Sequence, residues 1–129
     1  MTLIKNKLFL TMLFVVMATA AFAQNFKPSD IDGRWRRSDG AKFDIKGTAT
    51  FAEGSWTVII DVGNSNWPQS AKSGYKFRNI KYVSYNTWKA TSYSYNHNKN
   101  IWNDEGQVTL EMNADKNSFK AEGFTYTRM

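Results

Sequence analysis

Apolar and polar residues alternate along several short segments of this chain, and turn-forming residues separate one segment from the next. The stretch 41–46 shows the pattern most clearly, because Ala41, Phe43 and Ile45 share one face while charged residues lie between them. The dipeptide Asp39-Gly40 just before it is typical of a β-hairpin. No convincing helical period follows residue 23, so the pattern predicts an all-β fold.

The alternation and the turn residues together predict eight strands after the first 23 residues. The predicted strands are 31–37, 41–46, 48–52, 56–62, 75–83, 87–95, 106–112 and 118–128. The apolar phase slips near Arg78-Asn79 and again at Gly123, which indicates a bulge at each point. Eight antiparallel strands joined in order close into an up-and-down barrel that is filled by side chains or holds one small ligand.

Counting strands in this order also predicts which loops share an end of the barrel. The turns at 38–40, 53–55, 84–86 and 113–117 fall at one end, and the long loops at 63–74 and 96–105 fall at the other. Trp35 in the first strand and Arg128 in the last are expected near the long-loop end. The two residues are also expected to meet where the barrel closes.

The first 23 residues have the pattern of a secretory signal peptide. Lys5 and Lys7 form a basic start, an uncharged apolar run follows, and Ala21-Phe22-Ala23 is a small-x-small cleavage site. We expect cleavage between Ala23 and Gln24, which leaves one domain at 24–129 and a secreted or periplasmic product. A membrane span needs about 20 apolar residues with anchoring flanks, so a membrane-embedded chain is not expected.

Charge and cysteine content narrow the classes of partner. Removing Lys5 and Lys7 from 17 basic residues leaves 15 against 11 acidic ones, a net charge of +4. Export argues against nucleic acid as a partner, whereas acidic glycans or anionic lipid headgroups remain open. The chain has no cysteine, so it has neither a lipid-anchoring cysteine nor a disulfide. We expect a monomer without a cofactor or a metal site.

Two motifs at the ends of the predicted barrel resemble those of lipocalin-like (calycin) barrels. These are Gly33-Arg34-Trp35 near the start of the first strand and Arg128 near the end of the last. The resemblance implies that Trp35 lies at the closed end of the barrel and that Arg128 packs over it. A shielded guanidinium on an indole face contributes about 0.5–2 kcal/mol.

The chain is also similar to a family of small exported bacterial proteins of unknown function. The matching stretches are Gly33-Arg34-Trp35, Phe77-Arg78-Asn79-Ile80, Asn86-Thr87-Trp88-Lys89-Ala90, Val108-Thr109-Leu110 and Tyr126-Thr127-Arg128. The likeness spans most of residues 24–129 and implies a lipocalin-like barrel. The first hairpin, with Trp35 and Phe43, also resembles the opening of avidin-type biotin binders, but no set of polar biotin ligands follows it.

Aromatic residues are the main candidates for a binding site inside the barrel. The predicted ligand-binding residues are Trp56, Tyr75, Phe77, Trp88 and Tyr126, and Phe124 is also predicted to face inward. Such residues either fill the core of a small barrel or line a pocket for an apolar or aromatic ligand. The inward set of the fourth predicted strand is Trp56, Val58, Ile60 and Val62.

Two further groups of residues, a pair of tryptophans and a basic cluster, each allow two interpretations. Trp67 and Trp102 lie in the predicted long loops, where they either plug the barrel over Trp35 or flank a binding mouth. A basic cluster, Arg34–Arg37, is placed on the outer face of the first strand. It is either an ordinary solvated wall, paired with nearby aspartates, or a patch that binds polyanions.

No catalytic arrangement emerges from the sequence. His97 is the one histidine and lies in an Asn-rich loop without rigid partners. Asp104 and Glu105 are adjacent, so on a strand they would point to opposite faces. We therefore expect a binding protein for a small apolar or aromatic ligand and not an enzyme. The alternative is an envelope interaction protein with a filled barrel and a binding surface outside it.

Overall fold

The computed structural model describes residues 25–48 and 55–129 and shows a closed barrel of eight antiparallel strands. Each strand pairs with the next along the chain, and the last pairs with the first. The strands are β1 (Gly33–Arg37), β2 (Lys42–Lys46), β3 (Ser55–Asp61), β4 (Tyr75–Ser84), β5 (Thr87–Asn96), β6 (Ile101–Met112), β7 (Ser118–Ala121) and β8 (Phe124–Arg128). Short 3-10 helices occupy Pro28–Ile31 and Gln69–Ala71. The predicted fold class is confirmed.

The barrel closes where β1 meets β8, and Trp35 is the strand partner of Arg128. The Arg128 guanidinium carbon lies 4.2 Å from the centre of an indole ring of Trp35. The same guanidinium donates to the carbonyls of Asp30, Asp32 and Lys116 at 2.7–3.1 Å. One side chain thus ties together the start of β1, the end of β8 and the turn before β7. This is the contact expected from the sequence.

Glycine is needed at position 33 because of this seam. Gly33 has a φ of +134°, and a Cβ there would lie 2.7 Å from Nη1 of Arg128. The indole nitrogen of Trp35 donates to the carbonyl of Ile31 at 2.9 Å, which holds the 3-10 helix Pro28–Ile31 under the barrel. We call this end of the barrel, which also contains the 113–117 turn, the sealed end.

The opposite end, which we call the loop end, contains the connections at 38–41, 62–74, 97–100 and 122–123. The sequence-based assignment of ends was therefore wrong in two respects. The 38–41 turn lies with the long loop and not opposite it, and Trp35 and Arg128 lie at the sealed end. The error arose because β2 pairs directly with β3, whereas an additional strand had been predicted between them. Residues 49–52 of that predicted strand lie outside the described residues.

Two other boundaries differ from the prediction. The last predicted strand is two strands, because Glu122 and Gly123 form a two-residue turn with φ values of +53° and +80°. Positive φ at both positions is the geometry of a tight hairpin turn, so Gly123 is not a bulge. The predicted loop 96–105 is short: β6 begins at Ile101, and Trp102 pairs with Tyr95 within the β5–β6 hairpin. Backbone pairing extends this hairpin although its residues are polar.

The inward face of β3 is the opposite of the predicted one. Ser55, Thr57 and Ile59 are buried, whereas Trp56 is 43% exposed. The register with β2 is the reason, because Ile59 pairs with Phe43 and β2 buries its Phe43 face as expected. By contrast, the bulge predicted near Arg78-Asn79 is confirmed, since the β4–β5 register shifts there.

Replacing Arg128 with Met tests how much the seam stabilises the barrel. The variant keeps an apolar contact with Trp35 but leaves three backbone carbonyls without their donor, so we expect the free energy of unfolding to fall by about 3 kcal/mol. Arg34→Met is the matched control, because Arg34 is exposed and its ion pair with Asp44 spans only the barrel wall. Urea denaturation measures both. Equal, small losses for the two variants would contradict this account of the seam.

Candidate functional site

The five predicted ligand-binding residues do not line one cavity. Phe77, Trp88 and Tyr126 are fully buried inside the barrel. Trp56 and Tyr75 instead contact each other on the outer wall, with ring centroids 5.0 Å apart. The prediction that Trp56 and Tyr75 face inward is therefore wrong, because the phase of β3 was misassigned and Tyr75 follows it across the β3–β4 pair.

Aromatic rings fill the middle of the barrel. Tyr126 stacks on Phe119, with centroids 4.5 Å apart and planes 6° from parallel. Phe43 and Phe77 pack against the same tyrosine ring at 5.4 and 6.0 Å. This part of the interior is a packed core.

Trp88 belongs to the sealed end. Its indole nitrogen donates to the carbonyl of Pro28 at 3.0 Å, and its rings contact Phe26 and Tyr82 edge-on. These contacts hold the segment that precedes β1 against the barrel. The geometry explains Trp88 as a closing residue, in the same way as Trp35.

A bulge in β4 turns a lysine into the barrel near the loop end. Thr57 pairs with Phe77 and Val58 with Tyr75, so Lys76 is an extra residue on β4 and is buried together with Phe77. Bulges commonly re-aim one side chain in this way. Sequence alternation alone places Lys76 on the outer face. Its buried position follows from this second bulge, which was not predicted from the sequence.

Lys76 is held by a small polar network. Its ammonium donates to Ser92 Oγ and to the carbonyl of Tyr93, both at 3.0 Å, and lies 3.1 Å from a carboxylate oxygen of Glu122. Ser92 Oγ in turn donates to Glu122 at 2.8 Å. Burial lowers the pKa of Lys76, and the Glu122 carboxylate opposes that shift only in part.

Arg37 is the second buried cation at the loop end, with only 5% of its surface exposed. Its Nε and Nη2 donate to the two carboxylate oxygens of Asp39 at 2.9 and 2.7 Å. The guanidinium lies between the rings of Trp67 and Phe124, 4.2 Å from each centroid. The sequence analysis placed Arg37 on the outer face with Arg34, which was wrong. Strict alternation from the buried Trp35 would have placed it inside.

The ion pair with Arg37 also changes the pKa of Asp39. Burial acts to raise the pKa of the Asp39 carboxyl, but hydrogen bonds from Arg37 and from the Ala41 backbone outweigh it and hold that pKa below its usual value. Asp39 therefore stays ionised and keeps Nε and Nη2 of Arg37 occupied. The remaining nitrogen, Nη1, is not engaged by Asp39, and the guanidinium also interacts with the Tyr126 hydroxyl.

Tyr126 presents an unusual polar atom in this region. Its hydroxyl is fully buried and makes no hydrogen bond of good geometry among the residues that the structure describes, although it interacts with the neighbouring Arg37 guanidinium. The buried hydroxyl of Thr57 also lacks a hydrogen bond among these residues. Burial raises the pKa of Tyr126, although the Arg37 charge acts in the opposite direction, so the phenol is neutral and can donate. An unpaired buried hydroxyl costs about 1–3 kcal/mol and is rare in folded proteins.

The loop at 62–74 covers this polar group. Trp67 packs edge-on against Phe43 and Trp102, at 5.9 Å in each case. The Asn64 amide donates to the carbonyl of Asp39 at 3.0 Å, and Gly63 passes so close to Gly40 that no side chain fits between them. Trp67 and Trp102 therefore cover the loop end together, at the opposite end of the barrel from Trp35. The prediction that they plug the barrel over Trp35 was wrong.

Comparison with known proteins gives no family assignment: no family model matches the chain, and neither a curated protein nor a solved structure matches it. Among the described residues, no group of three histidine, cysteine or acidic side chains is placed to hold a metal ion. No helix in residues 25–48 and 55–129 is long and apolar enough to span a membrane.

Replacing Tyr126 with Phe tests whether its hydroxyl is unpaired. The substitution keeps the stacked ring and removes one unsatisfied polar atom, so we expect the free energy of unfolding to rise by about 1 kcal/mol. Tyr82→Phe is the control, since the Tyr82 hydroxyl donates to the Tyr85 carbonyl at 2.7 Å and its loss should lower stability slightly. Urea denaturation separates the two directions. A clear loss of stability in Tyr126→Phe would show that the hydroxyl is paired in the free protein.

Proposed function

We propose that this chain is an exported, lipocalin-like barrel that binds one small molecule at its loop end. The ligand has a flat apolar or aromatic body and one acceptor group, such as a carbonyl or carboxylate oxygen. The observation that carries the proposal is the buried, unpaired hydroxyl of Tyr126. It interacts with the Arg37 guanidinium, whose Nη1 is not engaged by Asp39.

The chemistry of the site supports an acceptor on the ligand. A neutral phenol and a guanidinium both donate hydrogen bonds, and an oxygen placed between them satisfies both. The nearby carboxylates of Asp39 and Glu122 are already engaged by Arg37 and Lys76. A ligand carboxylate there would thus meet paired charges and two groups that can donate to it, the Tyr126 phenol and Nη1 of Arg37.

The aromatic side chains that cover the loop end favour a ligand with a flat apolar body. Trp67, Trp102 and Phe124 contribute aromatic surface at the loop end, and Trp67 is only partly buried. Small-molecule sites combine such apolar surface with a few directed polar groups. Entry requires the Trp67 side chain to move. The 62–74 loop is bonded to the barrel backbone near its two ends, at Asp39 and at Ile59, and Trp67 lies between these points.

A filled barrel that acts through its outer surface is the second candidate. The close stacking of Tyr126 on Phe119 favours it, because the core leaves the aromatic side chains no freedom to line a large cavity. In that case Tyr126 and Arg37 would only stabilise the loop end, and ligands would not compete with Trp67.

Calorimetric titration with 2-naphthoate, a flat aromatic carboxylate, tests the proposal. We expect binding to the wild-type protein, weaker binding of 2-methylnaphthalene, and a loss of about fivefold or more in Tyr126→Phe, because one hydrogen bond of about 1 kcal/mol is removed. Tyr82→Phe, at the sealed end, should bind as the wild type does. Trp67→Ala should also weaken binding.

Three outcomes would count against the site. Absence of naphthoate binding at millimolar concentration favours the filled barrel. Equal affinity in Tyr126→Phe and wild type shows that the ligand does not reach the hydroxyl. Loss of binding in Trp56→Phe alone places the ligand on the outer wall.

Export is part of the same proposal and rests on the sequence. The cleavage expected between Ala23 and Gln24 lies outside the described residues. Expression of the full chain in a bacterial host, followed by intact-mass measurement of the periplasmic fraction, tests it. We expect the mass of residues 24–129 as a monomer, whereas a full-length product in the cytoplasm would contradict export.

A further inference from the structure

Three exposed cations lie on the outer wall of β4 and β5. They are Arg78, Lys81 and Lys89, and none of them takes part in an ion pair within the described part of the chain. In the described part of the chain, the basic residues that have an acidic partner are Arg34, Arg37, Lys76 and Lys116. The outer wall of β4 and β5 thus carries three exposed positive charges that no described acidic side chain pairs with.

Two of these cations directly oppose each other. Lys81 and Lys89 are strand partners, so both side chains rise from the same face of the wall. Like charges at directly opposed positions destabilise a sheet. On β6, Lys89 pairs with the uncharged Thr109, and the next outward residues on that strand are Gln107 on one side and the acidic Glu111 on the other. A shallow depression of about 380 Å³ is lined by both lysines and by Gln107.

Aromatic rings hold the third cation in place. The Arg78 guanidinium lies over the rings of Tyr75 and Tyr93, 4.8 and 5.1 Å from their centroids. Tyr75 in turn contacts Trp56, the aromatic side chain that is 43% exposed. Stacking fixes an arginine in one orientation at an exposed site, where it is otherwise mobile. These six residues, Trp56, Tyr75, Arg78, Lys81, Lys89 and Tyr93, are here called the outer strip.

We propose that the outer strip binds an acidic polysaccharide, independently of the small-molecule site at the loop end. The exposed face of Trp56 and the edges of the tyrosines offer apolar surface to the C–H faces of sugar rings. The three cations offer partners for carboxylates spaced along the chain. The strip crosses three strands, about 10 Å at the usual strand spacing, so it accommodates an extended polymer and not only a single anion.

The position of the strip on strands of the barrel wall favours a polymer over a lipid surface. The rings of Trp56 and Tyr75 contact each other edge-on along the barrel wall, and no described apolar side chain of the strip extends from a loop tip, as insertion into a bilayer requires. Aromatic residues interleaved with cations also suit single-stranded nucleic acid, so that ligand is included in the test as a competing outcome.

The test measures binding of the full chain to polygalacturonate by calorimetry at low salt. We expect binding to polygalacturonate and none to neutral dextran. The variant Lys81→Gln/Lys89→Gln should lose at least tenfold in affinity, while the control Lys72→Gln/Lys99→Gln, with the same change in charge at exposed loop positions, should stay within twofold. Trp56→Ala should lose at least fivefold, and this loss should persist at 0.5 M NaCl because stacking is not screened.

Several results would overturn the proposal. These are no binding to polygalacturonate, equal losses in the two double-lysine variants, or tighter binding to a dT12 oligonucleotide or to phosphatidylglycerol vesicles. Folding is followed by thermal melts, in which Lys81→Gln/Lys89→Gln should raise the melting temperature by about 1–4 °C because a repulsion is removed. A lower melting temperature would show that the lysines stabilise the barrel, which also contradicts the proposal.

Discussion

The contact between the Arg128 guanidinium and the Trp35 indole determines most of this structure. It lies where the first and last strands pair, and its hydrogen bonds to three carbonyls close the barrel and cover one end with the preceding 3-10 helix. A closed barrel has no free strand edges, so a small chain without disulfides avoids edge-to-edge aggregation. The contacts of Arg128 hold the 3-10 helix over the sealed end, and both proposed sites lie elsewhere, at the loop end and on the outer wall.

The positions of cationic side chains at the loop end and on the outer wall both depend on the bulges in β4. Bulges in β4 turn Lys76 inward and shift the register around Asn79, so one strand supplies a buried cation to the interior and exposed cations to the wall. Inside, Lys76 and Arg37 have acidic partners, whereas the buried hydroxyls of Thr57 and Tyr126 make no hydrogen bond of good geometry among the described residues. Outside, Arg78 is held by aromatic rings without an acidic partner. The proposed small-molecule site and the proposed polysaccharide surface follow from these two faces.

The sequence predicted the fold class and the seam, because alternation, turn residues and the Gly33–Trp35 motif are local signals. It did not predict at which end of the barrel β1 starts. The extra strand assigned at 48–52 reversed the predicted direction of every later strand relative to β1. It also placed Trp56 and Tyr75 inside, because alternation fixes which residues share a face but not which face is buried; pairing with Phe43 decides that. Lys76 was missed because a bulge breaks the alternation on which the prediction depended.

Nuclear magnetic resonance of the folded protein tests the closed barrel most directly. The account predicts cross-strand nuclear Overhauser effects between Arg36 of β1 and Thr127 of β8, together with Arg128 side-chain protons shifted upfield by the Trp35 ring and slow amide exchange along both strands. Absence of those contacts, with fast exchange of the β1 and β8 amides, would show an open sheet with two free edges and contradict the account.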